Sequence, residues 1–212
     1  MSVLTGEAIW KQMGRPDDPL VVTPLLEASQ VGDASIDVRL GHEFIVLRQA
    51  RMHHVDPTEP NDWKTVLHRS QEKTRISLHE PFALHPGQLV LGATLEYVSI
   101  PKRLTATVEG RSSWGRLGLI IATASTIAPG FKGCVTLELV NGGGVPLVVY
   151  PGVRIAQLIF QRALGSGQYD GKYDCPTGPQ FTRIHLDKEM SLWGRRSTPS
   201  EPGSRSASLP GS

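Results

Sequence analysis

From Ile36 onward the chain is cut into short apolar or alternating runs by residues that neither a long helix nor a long strand tolerates. The runs are Ile36–Leu40, Glu43–Leu47, Arg75–Leu78, Gln88–Leu91, Leu104–Glu109, Gly133–Val140, Val145–Val149 and Arg154–Gln161. Between them stand Ala128-Pro129-Gly130, Asn141-Gly142-Gly143-Gly144 and Tyr150-Pro151-Gly152. Proline fixes φ and lacks a donor, while glycine reaches the left-handed region, so such triplets turn the chain instead of extending it. This punctuation predicts an antiparallel sandwich or barrel. The clearest helix signal is N-terminal: Thr5 can cap a helix running to Met13, with Ile9, Trp10 and Met13 on one apolar face and Gly14 as the stop. Leu84–Gly92 (L-H-P-G-Q-L-V-L-G) and Val149–Gln157 (V-Y-P-G-V-R-I-A-Q) look like one turn-then-strand unit used twice.

At 212 residues and 39% hydrophobic content, one domain with a substantial core is expected. A net charge of +2 offers no field for nucleic acid or an anionic membrane, so neither is expected as a partner. No stretch approaches the length of an apolar membrane span, and M-S-V-L-T-G-E-A lacks a signal-peptide layout, which predicts a soluble, cytoplasmic protein. Cys134 and Cys175 provide no disulfide framework; Cys134 reads as a small buried hydrophobe. The polar stretch 51–72 carries His53, His54, Asp56, Asp62 and His68 without zinc-site spacing, and reads as a surface insertion. Residues 1–190 should form the domain, and 191–212, rich in Ser, Pro, Gly and Arg, a disordered tail.

Chemistry concentrates between Gly110 and Phe160. In G-R-S-S-W-G-R-L-G, Arg111 and Arg116 offer planar donor forks and Ser112 and Ser113 offer hydroxyls beside the open amides of a helical turn, which suits phosphate. The same composition also fits a capped turn with solvated arginines. Glu138 sits in V-T-L-E-L-V, an apolar strand in which an ionised carboxylate needs a partner or a task. It could equally be the outward residue of an alternating pattern. Neither cysteine belongs to a C-x-x-C pair, and no His precedes a Glu by two positions, so the chain carries neither H-x-E nor P-C-x-x-C zinc-site spacing.

Taken in order, A-S-I-D-V-R-L-G, H-P-G-Q-L-V-L-G-A-T-L-E, E-G-R-S-S-W-G-R-L-G-L, P-G-F-K-G-C-V-T-L-E-L, Y-P-G-V-R-I-A-Q-L-I-F and G-K-Y-D-C-P-T-G-P resemble the dCTP deaminase branch of the dUTPase-like superfamily, over roughly Leu4 to Lys188. The resemblance implies a distorted β-barrel of the β-clip type, assembled as a homotrimer with active sites between subunits. Its implied ligand is a nucleoside triphosphate chelated to Mg2+, with no zinc. It implies hydrolytic deamination of dCTP to dUTP, with Glu138 as general base and then proton donor, and Arg116 and Ser112 orienting the attacking water. It further implies substrate contacts from Arg111, Ser113, Ala124, Gln157, Tyr169 and Lys172, the last two from a C-terminal segment folding over the triphosphate. Three positions depart from the family pattern. The loop between Leu119 and Ile127 is one residue shorter, Ala128 stands where an aspartate is usual, and Pro176 stands where a glutamine is usual. The alternatives are a dUTP or dCTP diphosphatase, a bifunctional deaminase-diphosphatase, and a catalytically degenerate nucleotide-binding subunit.

Overall fold

The computed structural model describes residues 2–48, 54–58, 63–123, 126–165 and 167–193. Its described elements are α1 (Gly6–Met13), β1 (Val21–Thr23), β2 (Ile36–Arg39), β3 (Glu43–Leu47), α2 (Trp63–Ser70), β4 (Gln71–Arg75), β5 (Phe82–Leu84), β6 (Leu89–Ser99), β7 (Leu104–Gly110), α3 (Ser112–Gly115), β8 (Leu119–Ile121), β9 (Thr126–Ile127), β10 (Lys132–Asn141), β11 (Leu147–Val149), β12 (Arg154–Arg162) and α4 (Met190–Trp193). The mainly β architecture with short helices follows the sequence reading.

One sheet runs β4-β3-β6-β10-β8, with β1 also paired to β6; a second runs β2-β12-β7-β9; a third is the pair β11-β5. Strand pairs within all three are antiparallel. The longest strands, β6 and β10, form the spine of the first sheet, with Glu138 opposite Leu91. Their register breaks between Cys134 and Thr136, where the Val135 amide donates to the Thr94 hydroxyl at 2.9 Å in place of a ladder bond. Between the sheets lie Phe44, Leu137, Leu139, Leu158 and Phe160, all essentially sealed from solvent. Burying such side chains supplies the main stabilising force, about 1.5–3 kcal/mol each.

The repeated turn-then-strand unit has a structural counterpart. The strands that precede the two Pro-Gly turns, β5 and β11, pair with each other, Leu84 opposite Leu147 and Phe82 opposite Val149. Gly87 and Gly152 sit at equivalent turn positions with φ of +73° and +88°, a region that disfavours any residue carrying a Cβ.

Several expectations need correction. Thr5 is extended at the N-cap, but its side chain makes no capping bond; Gly14 does end α1, its amide donating to the Trp10 carbonyl. Ile9 is buried, whereas Trp10 on the expected apolar face is 45% exposed. The strand expected at Arg75–Leu78 lies earlier, at Gln71–Arg75, and follows helix α2, so the presumed surface insertion contains regular structure. Tail residues from 194 onward lie outside the described residues, as do His53 and Asp62.

Candidate active site

Strand alternation decides where Glu138 points. Leu137 and Leu139 fill the core, so Glu138 and Thr136 project from the opposite face of β10, where both are half-buried. What half-buries them is the chain after β12, which returns across this face. The Pro176 carbonyl accepts the Cys134 amide at 2.7 Å, and the Gln180 amide donates to the Thr136 hydroxyl at 3.4 Å. Pro176 packs so tightly on Gly133, whose φ is +139°, that any Cβ there would fall 2.3 Å from the proline Cδ. Pro176, one of the three departures, thus docks this segment onto the barrel.

Between the returning segment and the sheet lies a cavity of about 580 Å3, lined by Glu138, Thr136, Ala128, Phe131, Tyr169 and Tyr173 among others. Tyr169 meets Phe131 edge-on, ring centres 5.5 Å apart, and its hydroxyl accepts the Tyr173 amide at 3.3 Å. Burial pushes the Glu138 carboxyl above the ordinary glutamate range, because desolvation disfavours its charged form. It forms no ion pair among the described residues. The Glu138 amide donates to the Thr123 hydroxyl at 2.9 Å, and its carbonyl accepts the Ala122 amide at 2.8 Å. A half-buried carboxylate with a raised proton affinity, facing an aromatic-walled cavity, can accept a proton from water and return it.

The arginine and serine residues are elsewhere. Ser112, Ser113 and Arg116 lie on or beside α3, all exposed, and Arg116 makes no ion pair among the described residues. The turn is pinned by Trp114, whose indole donates to the Arg154 carbonyl at 2.9 Å. Its far end packs where Gly118 meets Gly143, beyond Asn141 at the end of β10. Asn141 is three positions from Glu138, about 10 Å along an extended strand. None of Arg111, Ser112, Ser113 and Arg116 lines the Glu138 cavity of the same chain.

Gln157 is on β12, opposite both Asp37 of β2 and Glu109 of β7, and accepts the Ser35 hydroxyl at 3.3 Å. It therefore belongs to the face carrying Arg111. Arg111 itself reaches Asp37 at 3.4 Å and donates to the Arg154 carbonyl at 3.3 Å. Lys172 is paired with Asp187, and the Arg183 guanidinium donates to the Lys172 carbonyl. Ala124 lies outside the described residues. Cys134 is buried and Cys175 exposed, and burial raises the Cys134 thiol above its usual range. Among the described residues, no three His, Cys, Asp or Glu gather to hold a metal ion.

Thr123, Thr136, Tyr173 and Gln180 were missed by the sequence reading. Thr136 lies two residues before Glu138 on β10, Thr123 is brought to it by the pairing of β8 with β10, and Tyr173 and Gln180 by the return of the chain over β10.

Residues 3–163 match the family described as dCTP deaminase-like. The protein named dCTP deaminase, dUMP-forming, of Methanobrevibacter smithii is 35% identical over 198 residues, covering 90% of this chain and 99% of its own. The dCTP deaminase of Halorubrum lacusprofundi is 43% identical over 180 residues, covering 81% and 86%. Among solved structures, the 2'-deoxycytidine 5'-triphosphate deaminase from Agrobacterium tumefaciens superposes with a TM-score of 0.57 at 25% identity, over 76% of this chain and 48% of that longer one.

Proposed function

The chain belongs to the dCTP deaminase-like family, and from that premise we propose that it hydrolyses dCTP to dUTP and ammonia, without zinc, as a homotrimer. The observation that carries this reading is Glu138, a carboxylate facing the cavity and raised by burial, with no cation beside it among the described residues. Glu138 removes a proton from a water molecule as that water's oxygen bonds to C4 of the cytosine. The same carboxyl passes that proton to the ring nitrogen, then takes the proton of the new C4 hydroxyl and passes it to the exocyclic amine. The C4–N bond breaks, ammonia leaves, and a carbonyl remains at C4.

Arg116 and Ser112 would orient the water and balance the charge that develops on it. Because they lie apart from the cavity of their own chain, the reading supplies them from a neighbouring subunit, together with Arg111 and Ser113 for the phosphates. Gln157 and Ala124 are the further substrate contacts that the family likeness assigns. Tyr169 already walls the cavity. Lys172 would exchange Asp187 for a phosphate, one anion for another. Mg2+ would arrive on the triphosphate, neutralising it without a dedicated cage of protein ligands. Free nucleotide is the substrate of a soluble, cytoplasmic enzyme; among the described residues no helix is long and apolar enough to cross a membrane.

Phosphate cleavage is disfavoured. Ala128 puts a methyl group into the cavity, and a methyl can neither accept a sugar hydroxyl nor orient a water toward a phosphate. The test is incubation with dCTP, scoring ammonia and pyrophosphate separately, for the parent and for Glu138→Gln. Ammonia without pyrophosphate is expected from the parent. The variant should turn over roughly 10²-fold more slowly while still binding dCTP. Near-normal turnover by the variant would return Glu138 to a passive place on the strand.

A further inference from the structure

The face that carries Arg111 also holds a string of alternating charges that the proposed chemistry leaves unused. It begins in the interior. Glu96 is completely buried on β6; its two oxygens accept the Gln30 side-chain amide at 3.0 Å and the Arg39 backbone amide at 2.8 Å. The Arg39 guanidinium, 6% exposed, lies 3.5 Å from Glu96 and donates to Glu27 at 3.1 Å. Glu27 in turn accepts Arg154 at 2.6 Å. Arg154 and Arg111 both come to within 3.4 Å of the same oxygen, Oδ2 of Asp37. The order is Glu96, Arg39, Glu27, Arg154, Asp37, Arg111, running from the sealed core to the edge of the expected phosphate cradle.

We propose that Asp37 is a positioning residue for triphosphate binding: it holds Arg111 in place through an oxygen that it shares with Arg154. Two guanidiniums drawn to one oxygen would repel each other without that carboxylate, and Arg111 would swing into solvent. With it, one fork nitrogen of Arg111 is spent on Asp37 and one on the Arg154 carbonyl. The guanidinium keeps further donors for a ligand. Anchoring the string in a buried carboxylate stiffens it, because Arg39 cannot leave Glu96 without stranding a charge in the core. Asp37 touches no substrate in this scheme; it lowers the ordering cost that Arg111 meets when phosphate binds.

The inference rests on Arg111 contacting phosphate, so the experiment includes a probe that needs no deamination. Binding of inorganic tripolyphosphate, dCTP and deoxycytidine is measured by calorimetry for the parent, Asp37→Asn, Arg111→Ala and the double variant. Asp37→Asn is expected to weaken tripolyphosphate and dCTP about tenfold, the scale of one charge-assisted contact, and to leave deoxycytidine unchanged. In the Arg111→Ala background the same substitution should cost nothing, since residues acting through one another are not additive. Asp37→Glu, which keeps the charge but moves the oxygen, should lose less, and it serves in place of the asparagine variant if that does not fold. An unchanged tripolyphosphate affinity, or a cost that persists without Arg111, would overturn the role of Asp37. A parent that binds tripolyphosphate with this coupling but releases no ammonia from dCTP would instead sink the deaminase reading.

Discussion

The backbone amide of Glu138 donates to the side-chain hydroxyl of Thr123 at 2.9 Å. That bond, with the Ala122 amide donating to the Glu138 carbonyl, ties the chain following β8 to β10 at the one position where β10 presents a carboxylate to the cavity. Both backbone groups of the proposed base are therefore held by one segment, Ala122–Thr123, while its carboxyl makes no ion pair among the described residues.

The pH dependence follows from burial of that side chain. A general base must be ionised, and burial raises the Glu138 pKa, so kcat/KM should fall on the acidic side at a pH above the ordinary glutamate value of about 4.3. The raised pKa also means that the native state binds this proton more tightly than the unfolded chain does. The contribution of the group to stability therefore declines as pH rises from about 4 through its raised value. A pH–rate profile checks the first statement; an acidic limb that survives unshifted in Glu138→Gln would assign it to another group.

The proposed sharing of the site between subunits predicts complementation. Homotrimers of Glu138→Gln and of Arg116→Ala should each be nearly inactive. Refolded together in equal amounts, they should regain about a quarter of the parent's sites, the fraction in which an intact glutamate meets an intact neighbouring arginine. Mixed trimers that recover nothing would place both residues in one subunit's site.

Ala128 predicts weak sugar discrimination. Ala128→Asp puts an acceptor into the cavity, and rejection of 3'-deoxy-dCTP relative to dCTP should sharpen by roughly tenfold or more in kcat/KM. If the parent already discriminates as sharply as the variant, another group makes that contact.

Glu96→Gln tests the buried end of the charge string. Desolvation raises the Glu96 pKa in spite of the Arg39 and Gln30 contacts, so this carboxylate is retained against a burial cost. Removing its charge leaves the buried Arg39 guanidinium with Glu27 as its sole anion among the described residues, which should destabilise the fold by about 3 kcal/mol in denaturant titration. A loss below about 1 kcal/mol would show that Arg39 finds compensation from Glu27 alone.

Much of the fold is legible because strand formation leaves local marks. Glu43–Leu47 coincides with β3, and Leu104–Glu109 and Arg154–Gln161 fall within one residue of β7 and β12. Where the reading slipped, burial was the missing information. Gln71–Arg75 is an edge strand, polar and largely exposed, so it carries no alternation to read. The run at Gln88–Leu91 continues to Ser99 through Gly92, a residue that usually weakens a strand. Here a Cβ would come 3.1 Å from a Leu40 methyl carbon, so the glycine permits close packing.

The sequence alone determined the strand-and-turn grammar and the order of the motifs, because turn residues and short apolar runs are properties of neighbouring residues, while it left Glu138 between a working carboxylate and an ordinary outward residue. Only the tertiary structure decided that Glu138 is covered, that α3 lies apart from it, and that Asp37 joins Arg111 to Arg154. Each of these depends on segments distant in the chain meeting in space: the residues after β12 crossing β10, and β2 pairing beside β12. Burial, and the pKa it raises, are set by what arrives from elsewhere, which no local pattern records.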